Sequence, residues 1–190
     1  MAAKVDSIPD WKRKLPMWAT WGRVAIVPII VGLFYWDSPW AGYVNALLFI
    51  LASITDYLDG YWARKYQAES TMGKFMDPIA DKILVAVVLI MLIPDGRVGP
   101  IMVLLLLCRD ILVGGVRSIA ASNNVIISAG TLGKWKTALQ MGGIPAILIY
   151  TPLFGLPIYE MGLGVMWISV ALSLISGYQY IFGYFKAVKK

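Results

Sequence analysis

A chain of 190 residues that is 59% hydrophobic, with mean hydropathy +0.70 and net charge +6, is too apolar for a soluble domain, where roughly 45–50% is usual. It has no histidine and one cysteine, which excludes Ser-His-Asp and Cys-His catalysis, histidine metal sites and a disulfide framework within the chain. Any chemistry falls to carboxylates, Lys, Arg, hydroxyls and bound ions.

Lipid leaves only helices and closed barrels able to span it. The apolar runs here are about 20 residues long and do not alternate with period two, which points to helices. The expected fold is an all-α integral membrane protein: six transmembrane helices, residues 17–190, preceded by a short N-terminal amphipathic juxtamembrane helix, residues 1–16. In that first segment Val5, Ile8, Trp11 and Leu15 fall near one helical face, with Lys4, Lys12, Arg13 and Lys14 elsewhere. It either lies on an anionic leaflet or serves as a basic flank that sets topology. No cleavable signal peptide is evident, so the first span is expected to stay.

The spans are expected at 17–36, 40–64, 73–93, 98–120, 132–152 and 158–185, separated by turn signals at 37–39, 94–96, 122–124 and 154–157. Lys and Arg gather in the N-terminal segment, the 64–74 connection, the 117–136 region and the C-terminal KAVKK, while the other turns carry only Arg97. Both termini are therefore expected to face the cytoplasm of a bacterial-type inner membrane. Membrane lipids, and no nucleic acid, are the expected surroundings. Trp11, Trp18, Trp21, Trp36, Trp40 and Trp62 fall near the predicted boundaries, as interfacial aromatics do. Cys108, in the run IMVLLLLC, reads as a small core hydrophobe.

Between spans two and three lies DYLDGYWARKYQAESTMGKFMDPIAD, with Asp56, Asp59, Asp77 and Asp81. Carboxylates are costly next to hydrocarbon, so this cluster marks function. Asp56 and Asp59 are three residues apart and Asp77 and Asp81 four apart, so each pair shares a helix face. Two such pairs make an all-oxygen site suited to hard divalent cations. Gly60 and Ala63 clear room beside Asp59, Arg64 offers a fork of donors to a phosphate, and Gly73 permits close backbone approach.

The pattern Asp56-x2-Asp59-Gly60-x2-Ala63-Arg64-x8-Gly73-x3-Asp77-x3-Asp81 resembles, at every fixed position, the signature of the CDP-alcohol phosphotransferase family. The resemblance implies a six-span membrane enzyme and two divalent cations, Mg2+ first and Mn2+ as the alternative. Asp56, Asp59 and Asp77 would hold one ion, and Asp56, Asp77 and Asp81 the other. Asp81 would also be the general base, and Asp59, Gly60, Ala63, Arg64 and Gly73 would contact CDP. The implied donor is CDP-diacylglycerol.

On the acceptor side, Arg109 and Arg117 are eight apart, and Lys134 and Lys136 open the next span from the same side. Converging cations suit an anionic acceptor. Asp110 either orients Arg109 or neutralises it. The Arg-acid pair, the second Arg and Gly133-Lys134-Trp135-Lys136-Thr137 resemble the phosphatidylglycerophosphate synthase branch of the family, which implies sn-glycerol 3-phosphate held by Arg109, Arg117, Lys134 and Lys136. Met17 departs from that branch by standing where it usually carries an Asn. Another acceptor, such as inositol phosphate or serine, is the alternative within the class. A divalent-cation transporter is the alternative outside it, although spans five and six carry few polar residues. Gly114, Gly115, Gly142 and Gly143 allow close helix contact, either inside the molecule or across a dimer; the family resemblance favours a homodimer.

Overall fold

The structure, a computed structural model, describes the backbone of residues 10–36, 38–66, 82–123, 130–152 and 155–188. Side chains are described within these ranges from residue 21 on, apart from 56–66 and 188. Among the described residues there are six helices and no strand: α1 Asp10–Phe34, α2 Pro39–Tyr66, α3 Lys82–Met91, α4 Pro100–Ser122, α5 Thr131–Leu148 and α6 Ile158–Val188. Helix α1 runs unbroken from Asp10, so residues 10–16 are the opening turns of the helix that continues as the first apolar run. Pro39 and Pro100 start α2 and α4, where the missing N–H costs nothing and the fixed φ suits a helix. Glu160 in the first turn of α6 and Lys186 in its last match the helix dipole.

The chain divides into two compact units, Met1–Met91 and Leu92–Lys190. In the first, α1 pairs with α2. Ala41, Asn45, Phe49 and Ala52 form a buried stripe along α2, at the spacing that keeps residues on one helix face. Ile30 and Arg23 are buried on α1, Arg23 at only 1% exposure.

In the second unit α6 is central and packs against both α5 and α4. A Cβ built at Gly162 would lie 2.9 Å from Ala146 Cβ and 3.1 Å from the Gly143 carbonyl oxygen, and one at Gly143 would meet Met166 at 3.0 Å. Later in α6, Ser169 Oγ donates to the Lys136 carbonyl at 3.1 Å. Contacts that move up one helix as they move down the other make α5 and α6 antiparallel. Gly143 thus serves internal packing, whereas Gly115 and Gly142 face open space. Helix α4 runs parallel to α6: Arg109 meets Ser173, the Arg117 guanidinium lies 5.7 Å from the Tyr180 ring centroid, and Asn123 Nδ2 donates to Tyr184 Oη.

The far ends are closed by Arg97, the one cation in the turns outside the basic segments. It bridges Asp95 at 3.1 Å, donates to the Leu148 carbonyl at the end of α5 and covers the Tyr150 ring at 4.0 Å. Tyr159 Oη at the head of α6 donates to the Arg97 carbonyl. Gly96 and Gly155, with φ of +67° and +76°, take left-handed turn positions that side chains resist.

Helix α6 mixes small and polar residues, Gly162, Ser169, Ser173, Ser176 and Gly177, with Met166, Val170 and Tyr180 on its inward side, and exposes the large apolar residues Trp167, Ile168, Leu174, Ile175 and Phe182. It is also the one helix among the described residues long and apolar enough to cross a membrane; Trp21–Phe34, Pro39–Thr55 and Lys82–Met91 are shorter apolar helices. Two expectations change. Helix α5 ends at Leu148, not 152, because Thr151 precedes Pro152 and the helical region is disfavoured there. Cys108 is exposed and is not a core residue: it sits on the outward side of α4 with Ile101, Leu104 and Ile111.

Candidate functional site

Asp56, Asp59, Gly60, Ala63 and Arg64 all fall within α2, so the two aspartates stand about one turn apart on a continuous helix. Their side chains, and all of Gly73, Asp77 and Asp81, lie outside the described residues. The acceptor cations belong to the second unit, and there the side chains are described.

Arg109 sits nine residues from the start of α4 and thirteen from its end, about 14 and 20 Å along the axis. That depth is wrong for a charge that only flanks a helix end. Three groups hold its guanidinium. Nε donates to the Ser173 carbonyl at 2.9 Å, Nη2 to Ser176 Oγ at 2.7 Å, and Nη1 to Asp110 Oδ1 at 3.0 Å. Ser176 in turn donates its hydroxyl hydrogen to the same Ser173 carbonyl at 3.1 Å. That bond turns an oxygen lone pair toward Arg109.

Lys136 reaches the same carboxylate from α5, donating to both Asp110 oxygens, at 2.6 Å to Oδ2. Side-chain exposure is 4% for Lys136, 15% for Arg109 and 22% for Asp110. Asp110 thus joins two cations from two helices in a poorly hydrated place, where charge–charge interactions are strong. Arg117 and Lys134 are exposed. The four cations therefore divide into an internal pair joined through Asp110 and two at the surface.

Sequence reasoning missed the α6 side of this arrangement. The signal was present: Ser169, Ser173 and Ser176 recur at spacings of four and three in an otherwise apolar helix, which places them on one face. Gln140, on α5 one turn beyond Lys136, is also buried. Lys136, Gln140, Ser169, Ser173 and Ser176 are thus buried, while Lys134, Glu160, Gln179 and Lys186 of the same two helices stay exposed.

Residues 13–175 match the sequence model of CDP-alcohol phosphatidyltransferases. Among curated relatives, a CDP-diacylglycerol–glycerol-3-phosphate 3-phosphatidyltransferase from Rickettsia bellii is 43% identical over 93% of this chain and 96% of its own length. One of the same name from Rickettsia felis is 40% identical over 94% and 97%. Another, from Bacillus subtilis, is 34% identical over 92% and 97%.

Proposed function

Because the chain belongs to the CDP-alcohol phosphatidyltransferase family, we propose that it transfers the phosphatidyl group of CDP-diacylglycerol to sn-glycerol 3-phosphate, giving phosphatidylglycerophosphate and CMP. The observation that carries the acceptor is similarity over nearly full length to relatives named for that reaction. The cations of α4 and α5 support it, since the acceptor is a phosphate monoester.

The family is divalent-metal dependent. Two carboxylates one turn apart on α2, Asp56 and Asp59, suit a hard cation, and Asp77 and Asp81 would complete an all-oxygen donor set. Two ions, Mg2+ or Mn2+, would supply charge stabilisation to the diphosphate when bound. Asp59, Gly60, Ala63, Arg64 and Gly73 hold the CDP moiety. Asp81 takes the proton from the acceptor hydroxyl, whose oxygen bonds to the lipid-bearing phosphorus. The bond from that phosphorus to the CMP oxygen breaks, and CMP leaves with the electron pair. Arg109, Arg117 and Lys134 meet the acceptor phosphate; Lys136 acts on it through Asp110.

The substrate is a lipid, and we read all six helices as membrane spans, with both termini and the aspartates at the cytoplasmic face. The outward apolar face of α6 and the exposed Ile101, Leu104, Ile111 and Leu112 of α4 support contact with lipid. A homodimer is proposed on family resemblance.

The test is CMP release by purified protein given CDP-diacylglycerol with glycerol 3-phosphate, inositol phosphate or serine. Release is expected with glycerol 3-phosphate, abolished by EDTA and restored by Mg2+. Asp81→Asn should lose turnover by at least about 100-fold while still binding CDP. Release only with another acceptor overturns the acceptor assignment; metal flux into liposomes without CMP release overturns the enzyme.

A further inference from the structure

An arginine on a flexible stem must lose rotamer freedom to grip a ligand, unless the protein has already fixed it. Helix α6 does this for Arg109. The Ser173 carbonyl and the Ser176 hydroxyl take two of its donors along one side of the guanidinium. The serine pair is itself joined by the Ser176-to-Ser173 hydrogen bond. Gly177 gives the stem its room: a Cβ there would lie 3.1 Å from Arg109 Cγ and 3.3 Å from Nε.

We propose that Ser176 and Gly177 are positioning residues for acceptor recognition: they form a socket on α6 that fixes Arg109, and Asp110 locks it to Lys136. Three donors of Arg109 are used internally, at Nε, Nη1 and Nη2. One N–H on each terminal nitrogen is left, and together they match two oxygens of a phosphate monoester. Asp110 removes one of the two positive charges, which lets Arg109 and Lys136 stand close without repulsion. The ligand class is a small phosphate monoester, so the inference rests on the acceptor reading above.

If the network served only to glue helices together, as polar groups between membrane helices can, its loss would lower stability and leave substrate selectivity alone. Steady-state CMP release separates the two. Purified Ser176→Ala, Ser176→Thr and Gly177→Ala proteins are assayed with glycerol 3-phosphate varied at saturating CDP-diacylglycerol, and then the reverse. Ser176→Ala and Gly177→Ala are expected to raise KM for glycerol 3-phosphate about tenfold, the size of a lost hydrogen bond to a charged group, with KM for CDP-diacylglycerol unchanged. Ser176→Thr, which keeps the hydroxyl, should restore the wild-type value. In an Arg109→Lys background neither substitution should add a further effect.

KM values that stay level or rise together for both substrates, or effects that add to Arg109→Lys, overturn the socket. If Ser176→Ala does not fold, Gly177→Ala carries the same comparison. Wild-type protein silent with glycerol 3-phosphate but active with another phosphate-bearing acceptor sinks the acceptor assignment, and the same KM split with that acceptor then decides the socket.

Discussion

Asp110 has the most connected carboxylate among the described side chains. It accepts from Arg109 on its own helix and from Lys136 on α5. Asp110→Asn keeps the shape but removes the charge that both cations face. Removing one partner of a buried pair costs about 3–5 kcal/mol; Asp110 is 22% exposed, which puts the expected loss at about 3 kcal/mol, at the low end of that range. Thermal unfolding in detergent should show it as a lowered Tm, and adding Lys136→Met should recover part of the loss. An unchanged Tm would mean the trio is not coupled. The residue types and numbers of these cations were legible in the sequence. That Lys136 would seat on Asp110 was not, because the two are 26 positions apart and no local periodicity links them.

The α5–α6 pair depends on missing side chains. Gly162→Ala would drive a Cβ to 2.9 Å from Ala146 Cβ and 3.1 Å from the backbone oxygen of Gly143, and backbone cannot swing aside as a side chain can. Overpacking of this kind costs about 1–3 kcal/mol. Gly142→Ala meets nothing within 4 Å and should be neutral or stabilising by about 0.5–1 kcal/mol through helix propensity. Unfolding of the two variants side by side checks the register: equal Tm values would mean that α5 and α6 do not cross at Gly143 and Gly162. The sequence flagged Gly142 and Gly143 together as contact residues. Only packing separates them, since adjacent residues on a helix point about 100° apart. Thr151-Pro152 shows a signal of the opposite kind: it was present in the sequence and bars α5 from running on to residue 152.

For the whole molecule, the charge pattern sets an orientation that labelling can read. With Cys108→Ala as background, Ser38→Cys and Gly99→Cys should react with a membrane-impermeant maleimide in spheroplasts, and Ser122→Cys and Thr131→Cys only in inverted vesicles. The reverse pattern would move the aspartates to the wrong face for a cytoplasmic nucleotide. The sequence by itself determined that the protein is helical and apolar, that its chemistry cannot use histidine, and that eight spaced residues from Asp56 to Asp81 carry a family signature. These follow from composition and short-range spacing, which need no fold to be read. The serine spacing marks one face of α6, but only the tertiary structure decided that this face is inward and that Arg109 leans on it. In a helix apolar on nearly every side the hydrophobic pattern has no direction, because lipid and protein core are equally apolar. Direction came instead from close packing at Gly143 and Gly162 and from Arg109, which needed acceptors and found them at Ser173 and Ser176.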